Sequence, residues 1–150
     1  MFIQVPVERM YPDVQLPKYQ TAQAAGCDLR AYLPEGELVL EPGQRALVST
    51  GLKMAVPEGY ELQIRPRSGE AFRRGLTVLN APGTIDADYR GEIKVLLVNL
   101  GEEDIVIRHQ DRIAQGVFCA VPQARWLELG EGEELPDTSR GEGGFGHTGK

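Results

Sequence analysis

The chain has 150 residues, 41% of them hydrophobic, which is enough for one domain with a buried core. Its formal charge of −6, from 16 Lys and Arg against 22 Asp and Glu, argues against long nucleic acid as a partner, because binding along a phosphate backbone draws on clustered cations. No apolar run is long enough to cross a membrane, and residues 1–10 lack the apolar stretch of a signal peptide, so a cytoplasmic setting is expected.

In chain order, the predicted elements are short strands. Gly (18) and Pro (10) are spread throughout, and the longest stretch free of both is only 102–115, so long helices have nowhere to sit. Apolar or alternating runs at 2–5, 38–40, 46–48, 60–64, 93–98, 105–107 and 113–121 read as strands separated by turns. One short helix is predicted over 68–74, with Ser68 as its N-cap and Gly75 closing it. Pro122 should end the last strand. This pattern implies an all-β sandwich or barrel over 1–128. Residues 129–150 carry seven Gly and few apolar residues, the composition of a flexible tail. Cys27 and Cys119 show no metal or redox spacing and are expected to be buried free thiols.

Five segments carry chemistry. Ala25-Gly26-Cys27-Asp28-Leu29-Arg30-Ala31 alternates, and read alone it is a strand with Asp28 and Arg30 facing solvent. Arg65-Pro66-Arg67-Ser68-Gly69 sets a cation beside the start of the short helix, a small anion site. Residues 80–94, from Asn80 through Gly83-Thr84-Ile85-Asp86-Ala87-Asp88-Tyr89-Arg90-Gly91 to Lys94, look like a β-hairpin. A tight apolar hairpin can admit a flat base and read it with main-chain groups, and a carboxylate at its end can take a proton from water. Asp86 and Asp88 also suit a plain turn. In Gln110-Asp111-Arg112-Ile113-Ala114-Gln115-Gly116-Val117-Phe118, Gln115 is an amide between Ile113 and Val117, expected on their side of the strand. In the tail, Arg140 suits a phosphate and Phe145 a base to stack on. The run Gly141-Glu142-Gly143-Gly144-Phe145-Gly146 fits a dinucleotide fingerprint, but that motif needs a preceding strand and a following helix.

Taken together and in this order, these segments resemble the five motifs of the trimeric dUTPase family across residues 25–149. The resemblance implies a distorted jelly-roll β-barrel that hydrolyses dUTP to dUMP and pyrophosphate with magnesium, keeping uracil out of DNA and supplying dUMP for thymidylate synthesis. It implies Asp86 as the general base acting on water at the α-phosphate. Tyr89 would pack on the deoxyribose and exclude a 2′-hydroxyl. Asn80, Gly83, Ile85 and Lys94 would line the uracil pocket, Thr84 would contact the substrate, and Arg67, Ser68, Gly69 and Gln115 would hold the phosphate chain. Asp28 would orient Mg²⁺ through water. Arg140, Phe145, Gly146, His147 and Thr148 would form a lid, and three sites would lie at the boundaries of a homotrimer. Many members carry Ser where His147 stands, so that contact departs from the pattern. A dCTP deaminase shares the fold but would carry Ser-Ser-x-x-Arg near the short helix, where this chain has Arg67-Ser68-Gly69-Glu70-Ala71-Phe72.

Overall fold

A computed structural model describes residues 2–145. Ten strands and one helix follow in order: β1 (Val7–Arg9), β2 (Cys27–Arg30), β3 (Glu37–Leu40), β4 (Arg45–Met54), β5 (Tyr60–Arg65), α1 (Ser68–Arg74), β6 (Leu76–Val78), β7 (Gly83–Ile85), β8 (Glu92–Asn99), β9 (Ile105–Arg108) and β10 (Arg112–Ala120). They form two four-stranded antiparallel sheets, ordered β1-β4-β8-β6 and β2-β10-β5-β7, and a β3-β9 ribbon. The arrangement is jelly-roll-like, with the strands divided among separate sheets rather than closed into one barrel.

One core serves all three sheets. Leu29, Leu62, Ile64 and Ala114 come from the second sheet, Val48, Leu52, Val95 and Leu97 from the first, and Leu40, Ile105 and Ile107 from the ribbon. Alternation along each strand selects these residues, since successive side chains face opposite sides. Asn99 and Thr50 are the buried polar residues among those described, and Asn99 is the more deeply placed. Its Nδ2 donates to Leu40 O and Glu103 O, and its Oδ1 accepts from Gly101 N–H, each at 2.8 Å. A buried amide so completely paired ties β8 to the β3-β9 side without a desolvation penalty.

Four expectations are corrected. Residues 2–5 form no strand. Phe2 is fully exposed and Ile3 and Val5 line a cavity; pairing starts after Pro6, whose carbonyl accepts from Ala55 N–H. The N-cap of α1 is Arg67, in extended backbone, and Ser68 is already helical; Gly75 does close the helix, at φ 70. Residues 80–94 are no hairpin. β7 pairs with β5, while β8 pairs with β4 and β6, so the 86–91 turn crosses from one sheet to the other. Cys27 and Cys119 are both free, but only Cys27 is buried. From 121 to 145 the chain makes turns without helix or strand.

Candidate functional site

A polar row crosses three strands on the outer face of the second sheet. In the antiparallel register, Gln115 of β10 stands opposite Asp28 of β2 on one side and Arg65 of β5 on the other. The next row, Cys27, Gly116 and Ile64, faces the core. A bulge between Arg112 and Ala114 sets this phase. It buries both Ile113 and Ala114, so Gln115 shares its face with Val117 but not with Ile113, contrary to simple alternation.

Around this row the first, second and fourth motifs converge. Asp28 is only 12% exposed at its side chain, and Arg67 Nε lies 3.3 Å from its Oδ1. Arg112 Nη1 lies 3.4 Å from its Oδ2, which also accepts from Gln20 Nε2 at 2.9 Å. Asp28 is thus an ion-paired group rather than a solvated one. Gln115 Nε2 donates to Pro66 O at 3.0 Å and fixes the turn into α1. The first intrahelical bond there runs from Glu70 N–H to Arg67 O, so the amides of Ser68 and Gly69 precede the helical ladder. Gln20 and Arg112 were not assigned roles from sequence. Arg112 lies within a quoted motif, whereas Gln20, in a loop, gave no local signal.

The third motif forms a second group. Gly83 is buried opposite Ile64, and a methyl placed on it would stand 3.3 Å from both Ile64 Cβ and Asn80 Nδ2, so Asn80 sits against this backbone. Thr84 is exposed opposite Gln63, and Ile85 packs against the core. Asp86 then opens a turn in which its carbonyl accepts from Tyr89 N–H, and Arg90 Nη1 donates to Ala87 O and Tyr89 O. Asp86 is therefore a turn residue as well as a candidate base. Its side chain is exposed and has no hydrogen-bond or ion-pair partner among the described residues. The Tyr89 hydroxyl donates to Glu92 O at 2.9 Å, and its ring covers Gly91, where any side chain would collide with it. Lys94, on β8, has Nζ 3.8 Å from Glu92.

These groups do not meet within one chain. Extending the β5–β7 register puts Asp86 beside Glu61, at the opposite end of β5 from Arg65. Four residue intervals of strand separate them, about 13 Å, before Pro66 and Arg67 add more. Arg140 Nε donates within the tail to Gly143 O, and the Phe145 ring is fully exposed. Gly146, His147 and Thr148 lie outside the described residues. An apolar cavity of about 990 Å³, bordered by Leu16, Tyr19, Leu62 and Phe118, is lined by none of the site residues expected from sequence, although Gln20 reaches its edge.

Among the described residues no three His, Cys, Asp or Glu side chains group to hold a metal. Both Asp28 oxygens are already engaged. This donor set fits magnesium only when substrate phosphates and waters supply most of its ligands, with Asp28 acting through water.

Residues 13–149 match the dUTPase family model. Relatives named deoxyuridine 5'-triphosphate nucleotidohydrolase include one from Caulobacter vibrioides, 57% identical over 91% of this chain and 87% of that protein. Another, from Chlamydia pneumoniae, is 56% identical over 90% of this chain and 91% of its own. Among solved structures, the dUTPase of Staphylococcus bacteriophage 80alpha with dUpNHpp superposes with a TM-score of 0.86 at 24% identity, covering 98% of this chain and 99% of that one. A mutant form of the dUTPase of phage phi11 of S. aureus, described with a structural Mg(II) ion, gives 0.76 at 20% identity over 85% of this chain and 97% of that one. With its family's motifs present in order and its fold shared, this chain belongs to the dUTPase family of nucleotide hydrolases.

Proposed function

We propose that this protein hydrolyses dUTP to dUMP and pyrophosphate through water attack on the α-phosphorus, in sites shared between copies of the chain. Family membership supports the substrate. The observation that carries the mechanism is the contrast between the charged row around Asp28 and the unengaged carboxylate of Asp86.

Asp86 accepts a proton from water as the water oxygen bonds to the α-phosphorus. The bridging bond between the α- and β-phosphoryl groups breaks, and pyrophosphate leaves. Arg67, the Ser68 and Gly69 amides and the Gln115 amide hold the phosphate chain, which removes the entropy of aligning it. Asp28 would orient magnesium through water, and the ion, when bound with the nucleotide, would supply neutralisation of phosphate charge. Asn80, Gly83, Ile85 and Lys94 take the uracil, and Thr84 contacts the substrate. Cytosine would leave buried polar groups unpaired, which costs roughly 10⁴–10⁵ in discrimination where a site is built on hydrogen bonds. The Tyr89 ring lies against the deoxyribose and fills the space of a 2′-hydroxyl. Arg140, Phe145, Gly146, His147 and Thr148 close over the nucleotide and exclude water.

The separation of Asp86 from Arg67 supports a shared site, and a homotrimer with three such sites is the assembly proposed. The acidic balance of the chain supports a small-molecule substrate over nucleic acid. The setting proposed is the cytoplasm, without a membrane partner; no helix among the described residues is long and apolar enough to cross a membrane.

Pyrophosphate release from dUTP, dTTP, dCTP and UTP tests this. Release from dUTP alone is expected. Ammonia from dCTP, with no pyrophosphate from dUTP, would replace this reading with deamination.

A further inference from the structure

Arg112 lies beside the outer polar row, within reach of Asp28, and the phosphate reading gives it no task. It opens β10 beside the bulge, and that bulge aims its side chain along the sheet toward Asp28. Arg112 meets Arg67 by two routes. Its main-chain oxygen accepts from Arg67 Nη1 at 3.2 Å. Its guanidinium sits 3.4 Å from Asp28 Oδ2, the oxygen that Arg67 leaves alone, while Arg67 Nε takes Oδ1 at 3.3 Å. With Nε and Nη1 engaged, Arg67 Nη2 has no partner among the described residues and is left for an incoming group.

Charge decides what this trio can do. Asp28, Arg67 and Arg112 together carry −1, +1 and +1, a net +1. Without the Arg112 side chain the trio is a neutral Asp28–Arg67 pair. Those two side chains are only 12% and 25% exposed; the Arg112 side chain is 42% exposed, so solvent weakens its charge in part, and its loss is felt at short range. An isolated carboxylate–guanidinium pair also turns the donors of Arg67 inward, toward its partner.

We propose that Arg112 is a positioning residue for the polyphosphate: it shares the second oxygen of Asp28 with Gln20, holds Arg67 with one nitrogen free for a phosphate oxygen, and supplies the net positive charge of the subsite. This rests on the reading that the row around Asp28 binds the phosphate chain of dUTP.

The test compares wild type, Arg112→Gln and Arg112→Lys in dUTP turnover, and in competition by inorganic pyrophosphate and by deoxyuridine, which carries no phosphate. For Arg112→Gln, KM for dUTP rises about tenfold and pyrophosphate inhibition weakens by about the same factor. Competition by deoxyuridine stays as in wild type, and KM depends less steeply on ionic strength. Arg112→Lys keeps the charge but loses the planar fork, and its loss is smaller, about threefold. Wild-type KM and pyrophosphate inhibition in both variants would overturn the proposal. So would an equal weakening of deoxyuridine and pyrophosphate, which would mark a general structural role. If Arg112→Gln does not fold, Arg112→Lys decides by the same readouts. A wild-type protein that releases no pyrophosphate from dUTP would instead remove the parent reading, so the two failures are distinguishable.

Discussion

Asp28 has both carboxylate oxygens in contact with a guanidinium or an amide, whereas the Asp86 carboxylate meets no partner among the described residues. A general base needs a lone pair facing its water, and a proton on Asp28 would have to displace an ion pair. The same residue type therefore suits two tasks, orientation at Asp28 and proton transfer at Asp86. Asp86→Asn keeps the shape of the turn, because the turn is closed by main-chain groups and by Arg90 rather than by the carboxylate. Turnover in that variant should fall by about 10²–10⁴-fold, the usual worth of a general base, with dUTP binding retained. Single-turnover kinetics beside equilibrium binding of dUTP would check it, and near-normal turnover would remove Asp86 from its role.

At the scale of elements, α1 shows how a seven-residue helix is held. Glu70 in its first turn meets Arg74 one turn on, with Arg74 Nε 2.7 Å from Oε2, and Arg73 lies 3.4 Å from Oε1. Burial alone would raise the Glu70 pKa, but the hydrogen bonds and charge of Arg74, the hydrogen bond of Arg73 and the charge of Arg67 outweigh it, and the net shift is downward from 4.5. A folded-state value below the unfolded one contributes stability above the unfolded pKa, lost as pH falls through the folded value. Glu70→Gln should cost about 0.5 kcal/mol near neutral pH and almost nothing once the carboxylate is protonated. Thermal unfolding of both proteins along a pH series would reveal a constant difference if this assignment were wrong. The helix, its Gly75 stop and the strands at 38–40, 60–64, 93–98 and 105–107 were legible in the sequence because breakers and apolar spacing are local signals. Three features were not legible. Only three residues form β7, and whether they join β5 or β8 depends on the fit of Gly83 against Ile64 and Ile85 against Leu62, which are distant in sequence. The bulge at Ile113 shifts the phase of Gln115 without any glycine to announce it. The apolar run at 2–5 has the composition of a strand, yet it borders a cavity and has no β partner among the described residues. Motif residues were found by their order along the chain. Gln20 and Arg112 became visible only when the antiparallel register brought them to Asp28.

For the whole molecule, the length of β5 sets a constraint that no side-chain rotation removes. Asp86 lies toward the Glu61 end and Arg67 beyond the Arg65 end, and four intervals of rigid strand stand between those two anchors. If the water that Asp86 activates attacks a phosphorus held by Arg67, as proposed, this separation calls for the two groups to come from different copies. Closed rotational symmetry provides this when the β7 turn of one copy meets the Asp28 row of the next, and every site in the ring is then equivalent. The arrangement predicts complementation. Asp86→Asn chains and Arg67→Ala chains, each assembled alone, form only defective sites. When they are unfolded and reassembled together in equal amounts, a site is intact if its Asp86 comes from an Arg67→Ala chain and its Arg67 from an Asp86→Asn chain. Random mixing makes that combination about a quarter of all sites. Pyrophosphate release from dUTP should recover to about that fraction of wild type, and a double variant carrying both changes in one chain should rescue nothing when mixed with either single variant. A site built inside one chain would give no recovery in the mixture, since no chain then holds both groups.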